Sequence, residues 1–261
     1  MARHLPLLAV VALALAAPTM QDALASDHFP HHWGREDRSS LRLRVGENLT
    51  GSWEPYLRDS VKEWEDSDVV ELRIVNGSTR PDVCDENRGQ VEVCNFEYGK
   101  TGWLGLTRIH FFTDDPEHIT AAEIRLNDTY FERDSAYKGK DGRNARDHTM
   151  CHELGHAFGL VHTNDKSCMN NSGDAIFDNL DPIGGDFRNL RDIYRHRDDK
   201  NESTVDRSAA RTILDDGSRG TGFIDIEQTP HAASDAVGRE TRMVEELPDG
   251  QTVVTYVTWA E

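Results

Sequence analysis

The order of strand-like and helix-like patterns along the chain predicts an α+β fold. Runs of alternating or β-branched residues recur at 41–45, 69–75, 103–112 and 122–127. Helical spacing appears between Trp53 and Trp64, again from about Asn144, and once more from Gly184 to His196.

At the N-terminus, Arg3 precedes an apolar run from Leu5 to Ala17, and Ala23-Leu24-Ala25 offers a small-x-small cleavage site. The pattern predicts a secretory signal over residues 1–25, removed before Ser26, because the apolar run is too short for a permanent bilayer anchor. No cysteine follows it to carry a lipid, and no later stretch is long and apolar enough to span a membrane. The mature chain is therefore expected to be soluble and extracellular. Residues 26–40, with His28, His31 and His32, read as a loosely ordered N-terminal arm, and metal binding by those histidines is the lesser reading.

Leu41, Leu43 and Val45 alternate with Arg42 and Arg44, the period of a half-buried strand. Trp53, Leu57, Val61 and Trp64 fall on one helical face, with Ser52 placed to cap it. Val69–Val75 reads as a strand ended by Asn76-Gly77, and the Cys84–Cys94 segment as a short polar loop. Trp103–Phe112 and Ala122–Asn127 read as strands, with a turn at Asp114-Asp115-Pro116 between them. Residues 41–196 then form the main domain and 197–222 a polar linker. Residues 223–261 form a hairpin extension turning at Pro248-Asp249-Gly250.

A net charge of −18 argues against nucleic acid and anionic membranes as partners, and is expected to serve solubility. Four cysteines in an exported chain make disulfides the default, with three pairings open. A Cys84–Cys94 bridge would pin a local loop.

The chemistry is carried by His152-Glu153-Leu154-Gly155-His156-Ala157-Phe158-Gly159-Leu160-Val161-His162. Residues four apart share a helical face, so His152 and His156 can reach one metal ion. Glu153 lies beside them without being forced to ligate. Gly159 permits a sharp helix stop, after which the chain can swing His162 back as a third ligand. Three imidazoles with one open position make a catalytic rather than a closed structural zinc site. A later glutamate as third ligand is disfavoured, since the next one is Glu202, and His162 is a better donor than Asp165.

With that motif complete, the chain resembles the metzincin clan of zinc peptidases, and within it small secreted bacterial types such as snapalysins and matrixins. Gly102-Trp103-Leu104-Gly105 and Asn127-Asp128-Thr129-Tyr130-Phe131 add to the likeness. The resemblance spans roughly Leu41 to Tyr194. It implies a mixed twisted sheet with an active-site helix and a C-terminal helix, and Met169 in a tight turn beneath the metal. It also implies extended substrate paired with an edge strand, for which Trp103–Phe112 is the first candidate. A Met169 turn under the helix would bring Cys168 to Cys151, giving Cys84–Cys94 and Cys151–Cys168 as the bridges. Two features depart from the clan: Asn171 stands where some members have a metal-assisting Tyr, and no inhibitory propeptide cysteine is visible.

The function implied is a secreted zinc-dependent endopeptidase. Glu153 is its base, one catalytic zinc its cofactor, and a peptide or protein its substrate, most simply with a monomeric enzyme. The many Asp residues are compatible with calcium as well, but no Asp-rich loop has a recognisable spacing to support it. The competing reading is a secreted zinc-binding module that captures peptides without cleaving them.

Overall fold

A computed structural model describes residues 31–35, 40–131, 137, 139–198 and 241–260. The signal segment, His28, most of the linker and the start of the C-terminal extension lie outside these residues. The fold is α+β, built on a seven-stranded mixed sheet. The strands, in chain order, are β1 (His32–Trp33), β2 (Leu41–Asn48), β3 (Val70–Asn76), β4 (Gln90–Phe96) and β5 (Trp103–Phe112), then β6 (His118–Ile119), β7 (Ala121–Asn127), β8 (Arg242–Glu246) and β9 (Gln251–Trp259). Among the described residues four α-helices accompany them: α1 (Glu54–Trp64), α2 (Gly139–Ala157), α3 (Ala175–Asp178) and α4 (Gly184–Ile193).

The large sheet has the order β3-β2-β4-β7-β5-β9-β8, and β1 pairs with β6 apart from it. Strands β3, β2, β4 and β7 run parallel, while β5, β9 and β8 are antiparallel to their neighbours. Alternation fixes which face of β2 is covered: Leu41, Leu43 and Val45 are buried and Arg42 is exposed. The core lies between the sheet and helices α1 and α2, where Trp53, Leu57 and Trp64 meet Met150, Leu154 and Phe158. Trp64 Nε1 donates to the Cys151 carbonyl at 3.1 Å, tying α1 to α2 inside that core.

Several local expectations are corrected. Half of the supposed Cys84–Cys94 loop belongs to β4, whose Val91 and Val93 are fully buried in the sheet. Ser52 does not cap α1; the cap position is Trp53, without a side-chain bond, and Pro55 supports the first turn by its fixed φ. Helix α2 starts at Gly139, before the predicted Asn144. The arm at 31–35 is packed rather than loose. Trp33 is buried, its Nε1 donates to the Ala157 carbonyl at 2.8 Å, and His31 stacks on Phe111 at 4.3 Å. Nor is β5 an edge strand, because β9 pairs with it along its whole length.

Disulfides join Cys84 to Cys94 and Cys151 to Cys168, with Cα–Cα separations of 5.9 and 6.0 Å. Among the described residues no helix is long and apolar enough to cross a membrane.

Candidate metal centre and active site

Helix α2 carries His152 and His156 one turn apart on its buried face. The helix stops just beyond, where Gly159 takes φ +94°, a conformation that side chains other than glycine's resist. A Cβ at Gly159 would also strike the His31 carbonyl, so arm and helix end are fitted to each other. The chain then turns back to present His162. The three Nε2 atoms converge: His156 lies 2.9 Å from His152 and 3.1 Å from His162.

Each ring is aimed from behind. The Nδ1 of His152 bonds to the Cys168 carbonyl at 2.7 Å, and that of His156 to the Leu160 carbonyl at 2.8 Å. Both Nδ1 atoms must therefore carry the proton, leaving the Nε2 lone pairs facing one another. The Asn171 amide sits 3.1 Å from His162 Nδ1; turned so that its oxygen accepts the Nδ1 proton, it orients the third ring and leaves Nε2 free.

Burial, and secondarily the neighbouring imidazoles, holds His152 and His156 well below the ordinary histidine range and His162 at about 4. All three are neutral donors at physiological pH. Neutral lone pairs pushed together repel unless a cation lies among them. Nitrogens on a tetrahedral zinc at its usual bond length stand about 3.4 Å apart, close to the spacings here. The donor set fits zinc, and among the described residues it comprises these three ligands.

Met169 is buried under this centre. A Cβ at Gly155 would collide with its Sδ, so the bare glycine is what lets the turn pack against α2. Ser167 Oγ caps the turn by accepting from Met169 N at 2.9 Å, and donates to Asp186 of α4 at 2.6 Å.

Glu153 is fully buried. Thr107 of β5 donates to its Oε2 at 2.7 Å, and Thr258 of β9 donates to its Oε1 at 2.7 Å. Burial pushes the carboxyl up to about 8, against the two hydroxyl hydrogen bonds. Strand β9 also lays the Tyr256 ring flat on His156, 4.2 Å between centroids and 11° between planes.

No family model matches the sequence, and no curated protein does either. The fold is similar to archaemetzincin AmzA from Archaeoglobus fulgidus, at 14% identity over 57% of this chain and 99% of that chain, with a TM-score of 0.36. The archaemetzincin of Methanopyrus kandleri is similar at 12% identity over 64% and 97%, with a TM-score of 0.38. Myroilysin is similar at 13% identity over 70% and 98%, with a TM-score of 0.36.

Five residues at this centre, Thr107, His148, Asn171, Tyr256 and Thr258, have no role legible in the sequence motif. His148 is buried one turn before His152, its Nδ1 2.6 Å from the Asn179 carbonyl and its Nε2 without a hydrogen-bond partner. Its signal is plain in hindsight, a histidine every four residues at 148, 152 and 156. Asn171 stands out in the sequence only as the lack of a tyrosine. Thr258 and Tyr256 carry no local signal, because only tertiary pairing brings β9 here.

Proposed function

We propose that the protein is a secreted zinc-dependent endopeptidase of metzincin-like build, with residues 41–196 as the catalytic domain. The observation that carries this reading is the convergence of three neutral, back-oriented imidazoles beside the Glu153 carboxyl, which a cation held among them would bring back to its ionised form. His152, His156 and His162 would hold the ion. When bound, zinc supplies Lewis acidity, acidifying a water and polarising a peptide carbonyl.

The protein's own part is proton handling and positioning. Thr107 keeps Oε2 of Glu153 fixed, so Oε1 is the atom that takes the proton of the attacking water once Thr258 withdraws. The same oxygen returns that proton to the departing amine; the second water proton stays on the new carboxylic acid and passes to the amine or solvent as the products separate into a carboxylate and an ammonium. The Cys84–Cys94 and Cys151–Cys168 bridges suit an oxidising space, which together with the N-terminal leader supports export.

One observation favours the second reading, a zinc-binding module without catalysis: β9 covers both Glu153 and His156. Glu153→Gln separates the two. It should keep its metal while cleavage of a denatured protein substrate falls by about 10²- to 10⁴-fold. Unchanged turnover in that variant removes Glu153 from the mechanism.

A further inference from the structure

We propose that His32, His118, His196 and Asp198 form a second, closed zinc site that clamps the N-terminal arm to the segment leaving α4. The four come from three parts of the chain. Strands β1 and β6 pair in parallel and set His32 opposite His118. Asp198 is locked against the arm by two contacts with Arg35: its N–H donates to the Arg35 carbonyl at 2.8 Å, and its Oδ2 accepts from Arg35 N at 2.8 Å. That pairing leaves Oδ1 facing the imidazoles. His196 Nε2 lies 3.1 Å from it, His32 Nε2 3.3 Å and His118 Nε2 3.5 Å.

These contacts do not resolve into ordinary hydrogen bonds. His32 and His196 Nε2 are 2.9 Å apart while both also face the same carboxylate oxygen, so they compete for one proton. His118 bonds through Nδ1 to Asp115 Oδ1 at 2.7 Å, which puts its proton there and leaves Nε2 as an acceptor. That Nε2 is buried and makes no hydrogen bond. A carboxylate behind an imidazole whose other nitrogen points at a shared centre is the usual support of a metal ligand. Four of the six separations among these three nitrogens and one oxygen are 2.9–3.5 Å, near the edge of a zinc tetrahedron, about 3.4 Å. His32, His118 and Asp198 offer atoms all within 4.8 Å of one another, and the exposed His196 ring completes the shell by turning toward them. Four protein ligands leave no position for water, so the site is structural. His196, its side chain 46% exposed, gives the ion a way in.

The full-length protein, stripped with chelator and reloaded with Zn²⁺ or Co²⁺ alone at pH 7.5, should hold two equivalents per chain by elemental analysis. His196→Ala, at the exposed ligand, and Asp198→Asn should each hold one, with loss of one tetrahedral Co²⁺ absorption band. His152→Ala/His156→Ala should also hold one, so this result does not depend on peptidase activity. Wild-type protein with one equivalent, kept in His196→Ala and Asp198→Asn, overturns the proposal. Melting temperatures of the stripped variants show whether a loss of metal is merely a loss of fold.

A different observation carries a second inference, which rests on the peptidase reading: β9 is a built-in occupant of the substrate groove and holds the full chain latent. Extended substrate binds by adding a strand to a free sheet edge. The edge next to the metal centre is β5, and β9 fills it antiparallel, with Thr107 opposite Tyr256 and Gly105 opposite Thr258. Strand β8 pairs with β9 alone, so the hairpin is held in the sheet by one ladder and can leave without breaking another. Much of its outer packing is a separate small cluster of Trp103, Leu106, Met243 and Val257.

Val254→Pro in the full chain removes a backbone donor from β9 and disfavours the strand. Cleavage of an unstructured peptide mixture should rise at least tenfold with metal content unchanged. An active wild type that Val254→Pro does not accelerate overturns latency and leaves the peptidase reading standing. No cleavage by either protein, both folded and loaded, overturns the peptidase reading and latency with it. If Val254→Pro fails to fold, Tyr256→Ala, which uncovers His156 and leaves the β9 ladder intact but opens a cavity in the core, is judged by the same outcomes once its fold is confirmed.

Discussion

The two histidine clusters differ in how they are built and in what they leave open. The inner one, His152, His156 and His162, comes from one helix and the turn after it, lies in the core, and contains no carboxylate. The outer one gathers His32, His118, His196 and Asp198 from the arm, the β5–β7 turn and the exit from α4. Burial lowers the inner imidazoles. At His118 burial works in the same direction, but the hydrogen bond and charge of Asp115, with the nearby charge of Asp198, outweigh it and raise the ring. Three neutral ligands leave a cation with its full charge and a vacant position, which is what polarising a substrate needs. Three with a carboxylate complete the shell and partly neutralise it, which suits a clamp. Ligand count and the presence of one anion therefore divide chemistry from structure within a single fold.

The Cys151–Cys168 bridge gives the largest test of that division. The bridge closes a loop of sequence separation 17 that contains the three inner ligands and none of the outer ones. Cys151→Ser/Cys168→Ser should lose about 3 kcal/mol of stability in denaturant unfolding, since the open loop regains entropy in the unfolded chain. Below the unfolding transition, chelator should strip the inner metal faster than in wild type and the outer metal at the wild-type rate. Equal acceleration at both would show that the bridge stabilises the whole fold and does not organise the inner centre.

The same contrast explains what the sequence could reveal. Three inner ligands within a stretch of eleven residues obey helical geometry and a glycine stop, so spacing alone brings them together. The outer ligands are separated by up to 166 residues, as between His32 and Asp198, and no local period links them. His32 therefore read as part of a loose arm. Strand β4 was hidden because a pair of cysteines in polar sequence looks like a pinned loop, although Val91 and Val93 already alternate with Glu92. The hairpin of β8 and β9 was legible from Pro248-Asp249-Gly250, but its neighbour was not. Which strand a hairpin joins depends on the free edge and the face it must bury, and here those are β5 and the metal centre.

The smallest effects come from the residues that aim one ligand in each cluster, Asp115 behind His118 and Asn171 behind His162. Loss of such a partner typically lowers metal affinity by about 10- to 100-fold, because the ring loses both its fixed tautomer and its orientation. Asp115 is charged and its contact is 2.7 Å, so Asp115→Ala should lie near the upper end of that range. Asn171 is neutral and its contact is 3.1 Å, so Asn171→Ala should lie near the lower end. The decisive feature is where each effect falls. Competition with a zinc chelator should show Asp115→Ala weakening only the outer equivalent, with peptide cleavage retained. Asn171→Ala should weaken only the inner one, with cleavage lost as free zinc is drawn down and restored when zinc is added back. Both effects falling on the same equivalent would mean that the clusters are not independent sites. Neither variant changing either equivalent would mean that the rings are held by packing, and that the hydrogen bonds behind them contribute nothing to holding a metal.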